Sequence, residues 1–251
     1  MKRGIVLNSS LLFLAAAMIV FTSCKKNDKE QTAPPSANLA IIHAAPKVAA
    51  FDVFVAGKKV SQKVAYASHT GAPGTPYLSV ASDVNTFKLV VDPASVIAED
   101  KLTLKANKNY SLIAYDTLPK TGAPKVKYVL LEDDLSVPVD GKANVRFLHL
   151  SPNMPAVDIV IYKGTDSLTL TTASTAYIAA SPITADLAKF KTISSGSYKL
   201  KVKTKDGTKV KTILEIPVVA LTAKNVFTIY LKGIAGESGI NAPGIQLIQH
   251  K

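Results

Sequence analysis

One cysteine, no tryptophan and only 18 acidic residues against 30 basic ones are the conspicuous shortages in this chain of 251 residues. A lone cysteine excludes a disulfide-framed fold. Without tryptophan or a cysteine pair, the hallmark core of antibody domains is excluded as well. Glycine and proline are sparse, at 13 and 14, and 47% of the residues are hydrophobic, so neither a collagen-like chain nor a disordered tail fits. What is present is a formal charge of +12 and enough length for one or two domains, each with a core.

The first residues read as an address. Lys2 and Arg3 precede an apolar stretch from Ile5 to Phe21 that ends in Phe21-Thr22-Ser23-Cys24, the order of a secretion signal. Asn8-Ser9-Ser10 interrupts the stretch, and the remainder, Leu11 to Phe21, is shorter than the roughly 20 apolar residues a spanning helix needs. The segment resembles a bacterial lipobox, with Phe21 where leucine is commonest. That resemblance implies removal of residues 1–23, diacylglycerol on the Cys24 thiol and acylation of the new amino terminus. Three acyl chains exceed the single chain that binds a bilayer only marginally, so the membrane is an expected partner through Cys24. Lys25, where an aspartate commonly retains such proteins inside, points to the outer membrane. The mature chain keeps 28 basic and 18 acidic residues, a net of +10, and has no free thiol. Apolar burial and β-ladders must therefore hold it. Residues 24–36, polar and containing Pro34-Pro35, form a lipidated tether.

An internal repeat organises the rest. Ala37-Asn38-Leu39-Ala40-Ile41-Ile42-His43-Ala44-Ala45-Pro46 returns 106 positions later as Ala143-Asn144-Val145-Arg146-Phe147-Leu148-His149-Leu150-Ser151-Pro152. Ala50-Phe51-Asp52-Val53 returns as Ala156-Val157-Asp158-Ile159, and Tyr110-Ser111-Leu112 as Phe227-Thr228-Ile229. The expected division is a first repeat with its linker over 37–141 and a second over 142–251, the second able to fold alone. Short β-branched and aromatic runs separated by turn signals fill each copy, at 39–43, 51–55, 77–80, 86–91, 102–105, 110–115 and 126–131, then at 145–149, 157–162, 168–172, 190–193, 198–204, 209–216, 226–232 and 245–249. This is the pattern of an all-β protein made of two tandem immunoglobulin-like β-sandwiches, with a small barrel as the alternative. Only 174–188 suits a helix, and Pro182 interrupts it.

Arg146-Phe147-Leu148-His149-Leu150-Ser151-Pro152-Asn153-Met154-Pro155-Ala156-Val157-Asp158-Ile159 and Gly196-Ser197-Tyr198-Lys199-Leu200 resemble the envelope family known as domain of unknown function 4397. His43, Pro46 and Asp52 match it in the first copy, where Ala45 and Ala49 replace its usual serine and proline. The resemblance covers residues 37–251 as two domains. It implies an extracytoplasmic β-sandwich often carried on lipoproteins, with no established activity.

His43, Asp52, His149 and Asp158 are the one repeated polar set. A catalytic zinc takes three protein ligands, whereas each copy offers one repeated histidine and one repeated aspartate. We expect a structural role, with each imidazole closing the turn after the first strand or bonding the aspartate. His69 and His250 have no counterparts in the other copy. The sequence contains no phosphate-cradling glycine loop, no His-Glu-x-x-His and no Gly-x-Ser-x-Gly elbow. The run Glu132-Asp133-Asp134 with Asp140 reads as a solvated linker rather than a Ca²⁺ site, since it lacks the spacing of a known loop. No catalytic residue, metal or cofactor is expected, and the chain is not expected to be an enzyme.

Charge is unevenly shared. Residues 37–141 carry 11 Lys against 10 acidic residues, and 142–251 carry 13 Lys and Arg146 against 6. Along Tyr198–Lys205 the alternation puts Tyr198, Leu200 and Val202 on one face and Lys199, Lys201, Lys203 and Lys205 on the other. A three-residue connection Asp206-Gly207-Thr208 would add Lys209 and Lys211 to that ribbon, pairing Lys205 with Lys209 and Lys203 with Lys211. The expected function is a non-catalytic envelope lipoprotein that presents its sandwiches for adhesion, scaffolding or complex assembly. The alternative is a polyanion or glycan binder using Lys199, Lys201, Lys203, Lys205, Lys209 and Lys211, with an envelope polysaccharide or protein as partner. Nucleic acid is not expected, because the signal sends the chain out of the cytoplasm and the ribbon lacks interleaved aromatics for stacking.

Overall fold

A computed structural model describes residues 34–92, 95–117, 121, 125–171, 174–178 and 184–251. The signal segment, Cys24, most of the tether and the centre of the candidate helix lie outside the described residues. The protein is all-β.

The first repeat contains β1 (Ser36–His43), β2 (Phe51–Val55), β3 (Lys58–Val64), β4 (Ser68–His69), β5 (Leu78–Ala81), β6 (Asp83–Asp92), β7 (Ser95–Leu104), β8 (Asn109–Tyr115) and β9 (Lys127–Glu132). One sheet runs β4-β1-β8-β9, with β5 also on β1, and the other runs β3-β2-β6-β7. The second repeat contains β10 (Lys142–His149), β11 (Val157–Lys163), β12 (Asp166–Thr169), α1 (Thr184–Leu187), β13 (Lys191–Ser194), β14 (Gly196–Asp206), β15 (Lys209–Leu221), β16 (Val226–Lys232) and β17 (Gly244–Gln249). Its sheets run β13-β10-β16-β17 and β12-β11-β14-β15. Each copy builds its first sheet on a parallel pair, β1 with β8 and β10 with β16.

Period-two burial explains the sandwiches. Phe51, Val53 and Val55 point inward from β2 and meet Phe87 and Leu89 of β6, and Leu39, Ile41 and Leu112 face them from the other sheet. Ile159, Ile161, Leu200 and Val202 meet Val145, Phe227 and Ile229 in the same way.

A third core joins the copies. Every residue of β16 is buried, as is β8 from Tyr110 to Tyr115, so alternation is lost and both faces of these strands are covered. Ile42, Ile113, Tyr115 and Leu131 of one repeat pack with Leu148, Leu150, Tyr230 and Ile248 of the other. Residues 142–251 alone would expose this apolar face, so the expectation that they fold independently meets a cost that the repeat pattern did not show.

The β14–β15 hairpin corrects the expected register. Asp206 pairs with Lys209 across a two-residue turn, Gly207-Thr208, and Gly207 has φ +58 as the first central residue of a type II′ turn requires. Lys205 therefore opposes Val210, and Thr204 opposes Lys211. Lys209 and Lys211 lie on the face of Thr204 and Asp206, opposite the other four lysines. The inversion costs no burial, because Lys209–Thr212 are all exposed at a tip that overhangs the core. A bulge at Ile213 then restores the expected facing, with Val202 opposite Leu214 and Lys201 opposite Glu215.

Candidate functional site

The repeated histidines close turns. His43 ends β1, and its Nε2 lies 3.2 Å from Val48 O and 3.3 Å from Ala49 O, while its Nδ1 accepts from Ala45 N at 3.3 Å. His149 ends β10 in the same manner, with Nε2 3.0 Å from Pro155 O and Nδ1 3.4 Å from Ser151 N. One nitrogen donates and the other accepts, which fixes a neutral tautomer. Burial pushes His43 down to about 4 against the pull of the Ala49 and Val48 carbonyls, and lowers His149 as well. The aspartates go elsewhere. Asp52 accepts from Lys59 Nζ and Lys63 N, each at 2.8 Å, and Asp158 accepts from Ser174 Oγ at 3.0 Å. Among the described residues no cluster of histidine, cysteine and carboxylates suits a metal.

The polar centre of the molecule lies at the junction of the repeats, on residues that sequence reasoning passed over. Asp133 does not belong to a solvated linker. Its side chain is 0% exposed and forms an ion pair at 2.6 Å with Arg146 Nη1, itself 1% exposed. Its Oδ2 accepts from Ser111 Oγ at 2.6 Å and Tyr77 Oη at 2.8 Å. Arg146 donates through Nε to Thr228 Oγ1 at 2.7 Å and through Nη2 to Ser111 Oγ at 3.2 Å. His250 completes the circuit, with Nδ1 2.8 Å from Tyr77 Oη and Nε2 2.7 Å from Thr228 Oγ1.

The donors impose an order on the protons. The Tyr77 hydroxyl donates to Asp133, so His250 Nδ1–H donates to Tyr77; Thr228 accepts from Arg146 and donates to His250 Nε2. A neutral His250 satisfies every step. Burial accordingly pushes it down to about 4, with Arg146 and His69 adding to the effect and Asp133 opposing it. Burial and the Asp133 charge raise the Tyr77 phenol. The Phe190 ring covers the Arg146 guanidinium at 4.7 Å and meets His250 edge-on. Above this cluster opens a cleft of about 1050 Å³ between the repeats.

The lysine face is a second candidate. Lys199, Lys201, Lys203 and Lys205 do project together from β14, but they are not free charges. Glu215 meets Lys199 at 3.2 Å and Lys201 at 3.1 Å, Lys203 donates to Tyr162 Oη at 2.7 Å, and Asp158 stands 3.9 Å from Lys205. The ammonium groups of Lys201 and Lys203 lie 5.5 and 5.4 Å from the Tyr162 ring centroid. Lys209 and Lys211 take no part in this face.

Residues 37–160 match the family model of a domain of unknown function, DUF4397. The chain carries a DUF4397 domain. The match spans the first repeat and runs on through β10 into β11, the strands that hold Arg146, His149 and Asp158. No curated protein matches the chain. Among solved structures it is similar to a leucine-rich repeat protein from Bacteroides thetaiotaomicron, at 10% identity and a TM-score of 0.20, covering 81% of this chain and 26% of that one. The chain thus spans about a quarter of the length of that structure.

Proposed function

We propose that this DUF4397 protein is a non-catalytic cell-envelope lipoprotein, anchored through acyl chains on Cys24, that presents its two sandwich repeats for adhesion, scaffolding or complex assembly. The observation that carries the reading is the junction. Its buried titratable groups, Asp133, Arg146, His250 and Tyr77, are spent on one another, which rigidifies the pair of repeats and leaves a fixed surface for a partner. The order of charged, apolar and small residues before Cys24 supports the anchor. Mass spectrometry of the mature amino terminus is expected to show an acylated Cys24 with residues 1–23 gone, and cross-linking in intact envelopes is expected to capture a stoichiometric protein partner. An unmodified Cys24 in an uncleaved chain would sink the anchor, and a monomer without cross-links would sink the scaffold.

The second reading, a polyanion or glycan binder, rests on the four-lysine face around Tyr162. A bound polyanion would meet four ammonium groups held on one face of β14 by Glu215, Tyr162 and Asp158.

A further inference from the structure

We propose that the cleft between the two repeats is a binding site for an uncharged oligosaccharide. Its volume, about 1050 Å³, is enough for several sugar units, and clefts at the junction of two folded units are favoured places for ligands. Both repeats contribute to its walls, Asn107 and Asn109 from one side and Asn144, Phe190 and Thr192 from the other.

The wall chemistry selects the class of ligand. Asn109 Oδ1 accepts from Asn38 at 2.9 Å, and Asn144 Oδ1 accepts from Thr192 Oγ1 at 2.7 Å. Each amide therefore has its oxygen engaged while its Nδ2 makes no hydrogen bond among the described residues. Donors fixed in this way, on strand ends rather than on long side chains, suit the hydroxyl and ring oxygens of a sugar. Phe190 supplies an apolar ring for the C–H face of a pyranose, and the guanidinium stacked beneath it at 4.7 Å holds that ring in place.

Charge argues against ionic ligands. An anion entering the cleft meets Glu132 and Asp134, and a cation meets Lys108, Lys189 and Lys251. These charges are largely answered locally, Lys108 by Glu132 at 3.0 Å and Lys189 by Asp186 at 2.8 Å. The site is thus distinct in chemistry and place from the lysine face, and it goes beyond the scaffold reading.

The test is calorimetric titration of the mature protein with maltohexaose, cellohexaose and chitohexaose, which are uncharged. At least one should bind saturably, with affinity that hardly changes as salt rises. The Asn109→Ala/Asn144→Ala variant removes both of these amide donors and should weaken that binding by at least about tenfold while its circular-dichroism spectrum stays that of the parent. Phe190→Leu, which still covers Arg146, should weaken it similarly. Binding should survive the change of Lys199, Lys201, Lys203 and Lys205 to Gln. The proposal is overturned if none of the three sugars binds, if the double variant binds as tightly as the parent, or if only the lysine variant loses binding.

Discussion

Replacing Asp133 by Ala is the sharpest perturbation of the junction. The Asp133 and Arg146 side chains are 0% and 1% exposed, so the variant strands a guanidinium away from water and takes the acceptor from Ser111 and Tyr77. Breaking a buried ion pair on one side costs about 3–5 kcal/mol. For a chain of this size each kcal/mol moves the melting temperature by about 2–4 °C, so the midpoint should fall by roughly 6–20 °C. Removing both charges is different, because replacing a buried pair by apolar residues of similar volume is often neutral or better. Asp133→Leu with Arg146→Met should therefore recover most of the loss. The assay is a double-mutant cycle in urea, followed by circular dichroism and by tyrosine fluorescence, with coincident transitions for the two repeats. A cost for Asp133→Ala below about 1 kcal/mol, or losses that simply add in the double variant, would refute the view that this pair is buried and coupled.

Two further outcomes follow from the same geometry. His43 and His250 titrate near 4 when folded and at 6.5 when unfolded, so stability is full above pH 6.5 and falls as the unfolded chain takes up protons that the fold refuses. The loss by pH 4 is about 3 kcal/mol for each histidine, and a urea midpoint that stays flat from pH 7 to 4.5 would falsify the assignment of buried neutral imidazoles. On the lysine face, changing Lys199, Lys201, Lys203 and Lys205 to Gln should abolish salt-sensitive retention on an acidic glycan matrix with little change in stability. Changing Lys209 and Lys211 instead should leave most of the retention, and equal losses from both variants would contradict the split of the ribbon.

Much of the fold was legible because burial with period two leaves its mark on sequence. Phe51, Val53 and Val55 announce β2, and Tyr198, Leu200 and Val202 announce β14 together with its lysine face. Strand β3 was missed because Lys58–Val64 is polar nearly throughout and is held by its ladder to β2 rather than by an apolar face. The hairpin register was misread for a related reason. Lys209 and Lys211 have no core to avoid, because the hairpin tip extends past it and leaves Lys209–Thr212 exposed. Parallel pairing of β1 with β8 has no local signal, since the strands lie some 70 residues apart, as Asn38 and Asn109 do.

The junction was hidden because it is assembled from single residues far apart in the chain, yet the repeat itself contains its logic. Arg146 stands where the first copy has Ala40, and Thr228 where it has Ser111. Asp133 and His250 are also equivalent, each following the last strand of its copy and donating its backbone N–H to the residue that opens or precedes the neighbouring ladder, Asn109 O and Val226 O, at 2.8 Å. The residues the copies share, His43 and His149, hold each sandwich to itself. Those that differ meet at the interface. Two identical first copies packed through this face would bury two carboxylates against each other with no guanidinium between them, and two identical second copies would bury two guanidinium groups. Either costs several kcal/mol per unpaired ion. Only the unlike pair closes the circuit from Arg146 through Thr228, His250 and Tyr77 to Asp133, so the divergence of the repeats specifies a tandem partnership over self-association.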